Sequence, residues 1–251
     1  DKMQAAPTVI DVEGEKIIFA GSNDYKLYAI NSDGSLRFSI ETGDKVQTSP
    51  SFLNVGNQHY IFFGSNDDKI YAVDLDGNSY AGWPVTVNGA IGSSIVFSDL
   101  DNDSIPEIIA ATDTGEILAL NLDGSYVEYF PISNDFPSSG SPMIVDLDDD
   151  GDLEIVVGSG SNLLVVDVKE LGNNDGFWNM YQGNVERNGC RFYSLDGECS
   201  VELGDVSGDG NLNILDLVQI SNYILDFSVP EYACAADFTV DGNVNILDLV
   251  Q

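Results

Sequence analysis

The amino-acid sequence predicts an all-β region of repeated antiparallel sheets, followed by a small α-helical module with two cation-binding loops. Two observations support this prediction. Short runs rich in Ile, Val, Phe and Tyr, residues that favour strands, recur about every 45 residues through residues 1–189, without any long amphipathic helical pattern. Residues 203–251 contain two nearly identical acidic loops, "DVSGDGNLNILD" and "DFTVDGNVNILD".

The repeat is visible in four stretches that align with one another. "KIIFAGSNDYKLYAINSDGS" begins at Lys16, "HYIFFGSNDDKIYAVDLDGN" at His59, "PEIIAATDTGEILALNLDGS" at Pro106 and "LEIVVGSGSNLLVVDVKELG" at Leu153, so the offsets are 43, 47 and 47 residues. Each stretch contains two strand-like runs. A third run precedes each stretch and a fourth follows the first three, whereas "FWNMYQGNVERNG" takes that place in the last.

Four short strands in about 45 residues is the period of a β-propeller blade. A β-sandwich is the all-β alternative, but a sandwich need not repeat its sequence. We therefore predict an all-β propeller with four visible four-stranded blades, at about residues 1–48, 49–93, 94–140 and 141–189. Four blades is the lower end of the usual range and residue 1 is Asp rather than Met, so we expect this to be part of a larger propeller.

A linker is predicted at residues 190–202, before the helical module at residues 203–251. Cys190 and Cys199 flank a short loop in this region. They either form a disulfide in an oxidising compartment or remain separate buried thiols, and Cys234 is left over.

The charge of the chain restricts its partners. It has 42 acidic and 9 basic residues, and its formal net charge is −33. Nucleic acid and anionic membrane surfaces both require Lys and Arg, so neither is an expected partner. No apolar run approaches the roughly 20 residues needed to span a bilayer, so we expect no membrane insertion. A chain this acidic is instead suited to binding cations, or to a salty medium.

Two pairs of segments resemble known propeller families. "GSNDYKLYAINSDG" and "GSNDDKIYAVDLDG" resemble the blades of pyrroloquinoline-quinone-type propellers. "SDLDNDSIPEIIAAT" and "VDLDDDGDLEIVVGS" resemble FG-GAP repeats, the blades of integrin α-type propellers. The resemblance covers about residues 5–190, and it implies a secreted or cell-surface protein, of bacterial type.

Alternating carboxylates mark one loop in repeat three and one in repeat four. Their spacing at positions 1, 3, 5 and 9 suits a Ca²⁺ ion, which takes six to eight oxygen ligands, and a backbone carbonyl at position 7 can add one. FG-GAP calcium loops follow the same pattern. The predicted ligands are Asp146, Asp148, Asp150, Asp152 and Glu154 in repeat four, and Asp99, Asp101, Asp103, Ile105 and Glu107 in repeat three. The alternative is a pair of solvated acidic turns, and it has more weight in repeat three, where Ser104 replaces the glycine at position 6.

The two terminal loops follow the twelve-residue ligand schedule of an EF-hand, with Gly at position 6. The predicted Ca²⁺ ligands are Asp205, Ser207, Asp209, Asn211, Asn213 and Asp216 in the first loop, and Asp237, Thr239, Asp241, Asn243, Asn245 and Asp248 in the second. Position 12 is Asp, where an EF-hand has Glu. A helical pattern follows the first loop but none precedes it. Two solvated acidic turns are again the alternative.

A duplicated calcium loop that is followed but not preceded by a helix closely resembles a type I dockerin. The resemblance covers about residues 203–251, and it implies binding to a cohesin module. We expect the second half to be incomplete at Gln251. Cellulosomal dockerins carry small hydroxyl residues at loop positions 10 and 11, where this chain has Ile214, Leu215, Ile246 and Leu247. These four residues either form an apolar partner surface or pack the two halves of the module together.

No catalytic constellation is apparent in the sequence, so we expect no enzyme. His59 is the only histidine, and no cysteine has a plausible histidine partner. Trp83 and Trp178 either stack on a sugar or, as we favour, pack between blades.

We therefore expect an extracellular, non-catalytic calcium-binding scaffold or adhesion protein that attaches to a cohesin-type partner or to another copy of itself, with a glycan or a protein as the ligand of its blades. The alternative is an enzyme docked through the same module, either a quinone-dependent oxidoreductase or a polysaccharide-degrading propeller.

Overall fold

The computed structural model describes residues 2–12, 14–55, 58–134, 136–138, 140–160, 162–174, 177–183, 190–193, 204–207, 211, 214–224 and 236. In residues 190–193, 214, 223 and 224 the description is confined to the backbone. The chain divides into two compact units, Asp1–Tyr193 and Ser194–Gln251. The described residues contain no helix with the length and apolar character that a membrane span requires.

The first unit consists of one antiparallel sheet for each sequence repeat, in which strands adjacent in the chain are hydrogen-bonded neighbours. Blade one contains β1 (Thr8–Val12), β2 (Glu15–Ser22), β3 (Lys26–Asn31) and β4 (Leu36–Glu41). Blade two contains β5 (Ser51–Val55), β6 (Gln58–Ser65), β7 (Lys69–Asp74) and β8 (Val85–Thr86). Blade three contains β9 (Val96–Ser98), β10 (Glu107–Ala111), β11 (Glu116–Leu120) and β12 (Ile132–Ser133). Blade four contains β13 (Met143–Val145), β14 (Asp152–Ser159) and β15 (Asn162–Leu171). This up-and-down order confirms the predicted propeller class.

Blade four differs from the prediction of four strands, because its described sheet has three. Of the segment that was expected to supply the fourth strand, the described residues 177–183 instead lie against the first strands of blades three and four. The Phe97 N–H donates to the Trp178 carbonyl at 2.9 Å, and the Ile144 N–H donates to the Asn179 carbonyl at 2.9 Å. We call the described residues 172–174 and 177–183 the closing segment, which ends in a short 3₁₀ turn at Tyr181–Gly183.

Blade one gains a fifth strand, β16 (Cys190–Tyr193), which pairs in parallel with β1. Residues 190–193 therefore belong to a sheet, whereas the sequence predicted the start of a linker. Cys199 lies outside the described residues, so the disulfide between Cys190 and Cys199 stays a prediction.

The core lies between successive sheets. We call the face of a blade that meets the next blade in chain order its trailing face, and the opposite face its leading face. In blade one, Thr8, Phe19 and Ala29 are paired across three strands and form a trailing row that is 0% exposed. Phe19 and Ala29 of this row belong to the same apolar cluster as Phe52, Ile61 and Val73, which form the leading row of blade two.

The contact between blades two and three is largely aromatic. The centroid of the Phe62 ring lies 5.1 Å from the ring centroids of both Phe97 and Trp83, and both pairs are in edge-on arrangements. The Trp83 Nε1–H donates to the Leu122 carbonyl at 2.9 Å. Trp83 is 6% exposed and Trp178 is 2% exposed, so both side chains pack inside the fold, and neither ring is accessible to a sugar.

We predict that Phe62→Ala lowers the free energy of unfolding by about 3–5 kcal/mol, because it removes a fully buried ring from this contact. Denaturant unfolding followed by circular dichroism measures the change. Met3→Ala is the control, since Met3 is 52% exposed and its truncation should cost less than about 0.5 kcal/mol. Equal losses for the two variants would contradict this assignment of the core.

Candidate calcium sites

The loop between β9 and β10 brings together three of its predicted ligands. One carboxylate oxygen from each of Asp99, Asp101 and Glu107 lies within 4.8 Å of the other two. Asp99 and Glu107 are 1% and 4% exposed. The Glu107 carboxylate accepts the Leu100 N–H at 2.7 Å, which ties the end of the loop to its beginning. Asp103 lies outside this cluster of oxygens and accepts the Ile105 N–H within the turn.

The loop between β13 and β14 repeats this arrangement. Oxygens of Asp146, Asp148 and Glu154 form one group within 4.8 Å, and oxygens of Asp148, Asp150 and Asp152 form a second. The Glu154 carboxylate accepts the Leu147 N–H at 2.6 Å, as Glu107 accepts the Leu100 N–H in blade three. Both loops therefore place carboxylates from positions 1, 3 and 9 around one point.

The backbones of the two loops also match. Positions 4 and 6 have positive φ in each loop: 57° at Asn102 and 71° at Ser104 in blade three, and 60° at Asp149 and 92° at Gly151 in blade four. In blade three, a serine therefore adopts the left-handed conformation that a glycine supplies in blade four. The missing glycine weakens the sequence signal at blade three but leaves the conformation of the loop unchanged.

The electrostatics of both loops fit a divalent cation. Burial, together with the charges of Asp101, Asp103 and Asp99, raises the pKa of Glu107 to about 7. A hydrogen bond with Asp150, together with burial and the charge of Asp150, raises the pKa of Asp152 to about 6. Carboxylates crowded in this way repel one another, and a bound cation would offset that repulsion.

Two buried carboxylate oxygens in blade four also fit a bound divalent cation. Asp146 Oδ1 and Asp152 Oδ1 have no hydrogen-bond partner among the described residues. If a Ca²⁺ ion were held here, the carboxylates at positions 1, 3 and 9 would supply its oxygen ligands. The predicted role of the Ile105 and Asp152 carbonyls stays a prediction.

Sequence reasoning missed Asp167 and Lys169, on β15. Asp167 is paired in register with Glu154, and its carboxylate lies within 4.8 Å of oxygens from Glu154 and Asp152. Lys169 makes ion pairs with Asp152, at 3.6 Å, and with Asp167. The missing information was the register of β15 against β14, which a single sequence does not provide.

The first terminal loop is described in part. The Ser207 hydroxyl donates to Asp205 Oδ1 at 3.2 Å, and the Ser207 N–H donates to Asp216 Oδ1 at 3.2 Å. Asp205 and Asp216 are each 2% exposed. Positions 1, 3 and 12 of the predicted schedule are thus brought together, where the loop meets α1 (Ile214–Ile224). Asn211, at position 7, is exposed.

The remaining predicted residues of this module lie outside the described part of the chain. They are the ligands Asp209, Asn213, Asp237, Thr239, Asp241, Asn243, Asn245 and Asp248, and the partner residues Ile246 and Leu247, together with the side chain of Ile214.

We predict that position 6 affects stability in opposite directions in the two blade loops. Ser104→Gly should raise the free energy of unfolding by about 0.5–1 kcal/mol, because it relieves a left-handed serine, and Gly151→Ala should lower it by about 1–2 kcal/mol. Denaturant titration in Ca²⁺ measures both changes. Gly92→Ala is the control: Gly92 has no positive φ, and an added Cβ there would have nothing within 4 Å.

We also predict that Ca²⁺ raises the melting temperature of chelator-treated protein. At a concentration about 100 times Kd, each site adds about 2.7 kcal/mol. Asp101→Asn and Asp148→Asn should each reduce this calcium-dependent shift, because both are exposed cluster residues at position 3. Asp33→Asn, at an exposed turn outside the clusters, should leave the shift unchanged. Identical melting in Ca²⁺ and in EGTA would contradict the prediction.

Comparison with family models finds two segments. Residues 99–157 match the FG-GAP-like repeat, which includes both blade loops. Residues 203–251 match the dockerin type I domain. Comparison with curated proteins returns no match.

Two of the solved structures that are similar to part of this chain are as follows. The crystal structure of BamB from Moraxella catarrhalis is 19% identical with a TM-score of 0.46, over 67% of this chain and 47% of that one. The crystal structure of BBS1N in complex with ARL6DN, soaked with mercury, is 16% identical with a TM-score of 0.44, over 61% of this chain and 47% of that one. The chain thus spans about half the length of each. The family comparisons confirm two of the predicted resemblances: residues 99–157 match the model of the FG-GAP-like repeat, and residues 203–251 match the model of the dockerin type I domain.

Proposed function

We propose that the chain attaches to a cohesin-type module through residues 203–251, in a calcium-dependent manner. The observation that carries this proposal is the dockerin match at 203–251, in which the buried Asp205 and Asp216 meet through Ser207 at the start of α1. A dockerin type I domain implies protein–protein attachment to a cohesin.

Calcium would act here as a folding ligand. Asp216 lies in the first turn of α1, and Asp205 lies on the loop before it, so a cation bound by both carboxylates would fix the helix to the loop. A module of about 50 residues has too small an apolar core to be stable without such a ligand. Removing calcium should therefore remove the binding surface as well as the ion.

The exposed side of α1 suggests the chemistry of the partner. Leu215 and Val218, one turn apart, are 61% and 49% exposed, whereas Asp216 and Ile220 are each 2% exposed. The exposure of Leu215 favours the partner-contact alternative over packing between the halves of the module. We propose that the cohesin contributes an apolar patch, with Ile214, Leu215, Ile246 and Leu247 facing it.

For the blades, we propose a non-catalytic scaffold or adhesion role outside the cell, in a bacterial protein. Support comes from the FG-GAP-like repeat and from the two carboxylate clusters, which suit a calcium-stabilised structural unit. The ligand of the blades, a glycan or a protein, is part of this proposal, as is binding to another copy of the chain. The burial of Trp83 and Trp178 means that a sugar would have to bind elsewhere.

We predict that the full chain binds a member of a cohesin panel in Ca²⁺ and releases it in EGTA, as measured by isothermal titration calorimetry. Leu215→Asp should weaken binding at least about tenfold, because it places a charge in an apolar contact. Leu163→Asp, at a 70% exposed leucine on β15, should bind like the wild type. Retention of the cohesin in EGTA, or equal effects of the two variants, would contradict the proposal.

A further inference from the structure

The pair of strands β14 and β15 carries a group of carboxylates that extends beyond the calcium loop of blade four. Asp152 and Glu154 are two residues apart on β14 and face the same side of the sheet, and Asp167 on β15 is paired with Glu154. One oxygen from each of the three lies within 4.8 Å of the other two. Two oxygen ligands of one Ca²⁺ ion lie at most about 5 Å apart, so this spacing fits a single cation.

The pairing of Glu154 with Asp167 requires a counter-charge. Like charges directly opposite one another destabilise an antiparallel pair of strands. Glu154 is only 5% exposed, and its burial strengthens the repulsion because water screens it less. The cross-strand pairs that follow this one along β14 are all apolar. The two acidic residues therefore stand opposite each other in a sheet that otherwise pairs apolar side chains there.

Lys169 supplies part of that counter-charge. Its ammonium makes ion pairs with Asp152, at 3.6 Å, and with Asp167. The three overlapping groups of carboxylates in blade four contain six acidic side chains in all, from Asp146 to Asp167. With Lys169 and one divalent cation in the calcium loop, the six side chains would still leave a net charge of −3, and a second divalent cation would reduce it to −1.

Asp152 gives independent evidence of a missing ligand. Its side chain belongs to a residue that is 9% exposed. Asp152 Oδ2 faces Lys169, whereas Asp152 Oδ1 is buried and has no hydrogen-bond partner in the part of the chain that the structure describes. A buried carboxylate oxygen without a partner costs free energy, and a cation among these carboxylates would supply the interaction that it lacks.

Blade three shows that the extra carboxylates are not needed to form a calcium loop. The positions of Asp152 and Asp167 are occupied in blade three by Ile105 and Asn121. The loop of blade three nevertheless brings its own carboxylates, at positions 1, 3 and 9, within 4.8 Å of one another. Asp152 and Asp167 are therefore additions to blade four, and they call for an explanation separate from that of the loop.

We propose that blade four binds a second divalent cation through Asp152, Glu154 and Asp167, beside the ion proposed for its calcium loop. The Glu154 carboxylate, which belongs to both groups of oxygens, would be shared between the two ions. Ligands that are all carboxylate oxygens select a hard cation such as Ca²⁺. The Asp167 side chain is 43% exposed, so water can complete the coordination shell.

Lys169 has a defined part in this proposal. Its side chain is 70% exposed, so it can leave the carboxylates for solvent without unpacking the sheet. The ammonium occupies the site in the absence of the cation and competes with the cation for Asp152 and Asp167. The second ion would join β14 to β15, whereas the ion of the loop would join β13 to β14.

Equilibrium dialysis of the full chain against radioactive Ca²⁺, at saturating concentration and about 0.15 M salt, counts the bound ions. Asp167→Asn should bind one ion fewer than the wild type. Glu170→Gln is the matched control, since it removes a negative charge from an exposed residue of the same strand, outside the described carboxylate groups, and it should bind as many ions as the wild type. Circular dichroism in Ca²⁺ checks that both variants are folded. Equal counts for Asp167→Asn and the wild type, or the same loss in both variants, would overturn the proposal.

A second substitution tests the site in the opposite direction. Lys169→Gln should lower the calcium concentration that half-saturates this site about tenfold, because it removes the competing ammonium. In the Asp167→Asn background the same substitution should change calcium affinity much less, since the site is no longer present. Calcium binding that is unchanged or weaker in Lys169→Gln would overturn the proposal and assign these residues to a structural ion pair alone.

Discussion

The described blades depend on apolar contact between successive sheets. A middle strand such as β10 directs alternate side chains to its two neighbouring blades, so both of its faces must be apolar. All five residues of β10, from Glu107 to Ala111, are buried. Such strands have nearly continuous apolar sequences instead of the alternation that a one-sided sheet would show. In the described part of the blades, most of the acidic residues accordingly lie in the loops and turns between strands.

The acidic loops are the exception, because several of their carboxylates are buried. Asp99 and Glu107 lie side by side with almost no exposure, and Glu154 occupies the same place in blade four. Because burial and the neighbouring carboxylates disfavour a negative charge at Glu107, its pKa is raised when no cation is bound. Both loops connect the first strand of a blade to its second, so a cation bound there would hold the β9–β10 and β13–β14 pairs together at one end.

The sequence was most informative where it repeats. The period predicted the four sheets, and the carboxylate spacing predicted that Asp99, Asp101 and Glu107 would converge. It was less informative at Ser104, because a glycine at position 6 is a preference and a serine can adopt the same φ at a cost of about 1–2 kcal/mol. The closing segment could not be predicted, since it has no counterpart in the other repeats and its hydrogen bonds depend on tertiary contacts with β9 and β13. Asp167 was missed because the register of β15 is set by pairing that the sequence does not encode locally.

The position of the closing segment determines how a pulling force would travel along the chain. A protein anchored through its last residues and loaded through its ligand would be stretched between these two points. Such tension would first load the pairing of β16 with β1, and then the hydrogen bonds of Trp178 and Asn179 to Phe97 and Ile144, before it could peel β15 from its sheet. Several main-chain bonds and the buried Trp178 would then share the load, so blade four would resist mechanical unzipping better than a blade that ends in a free outer strand.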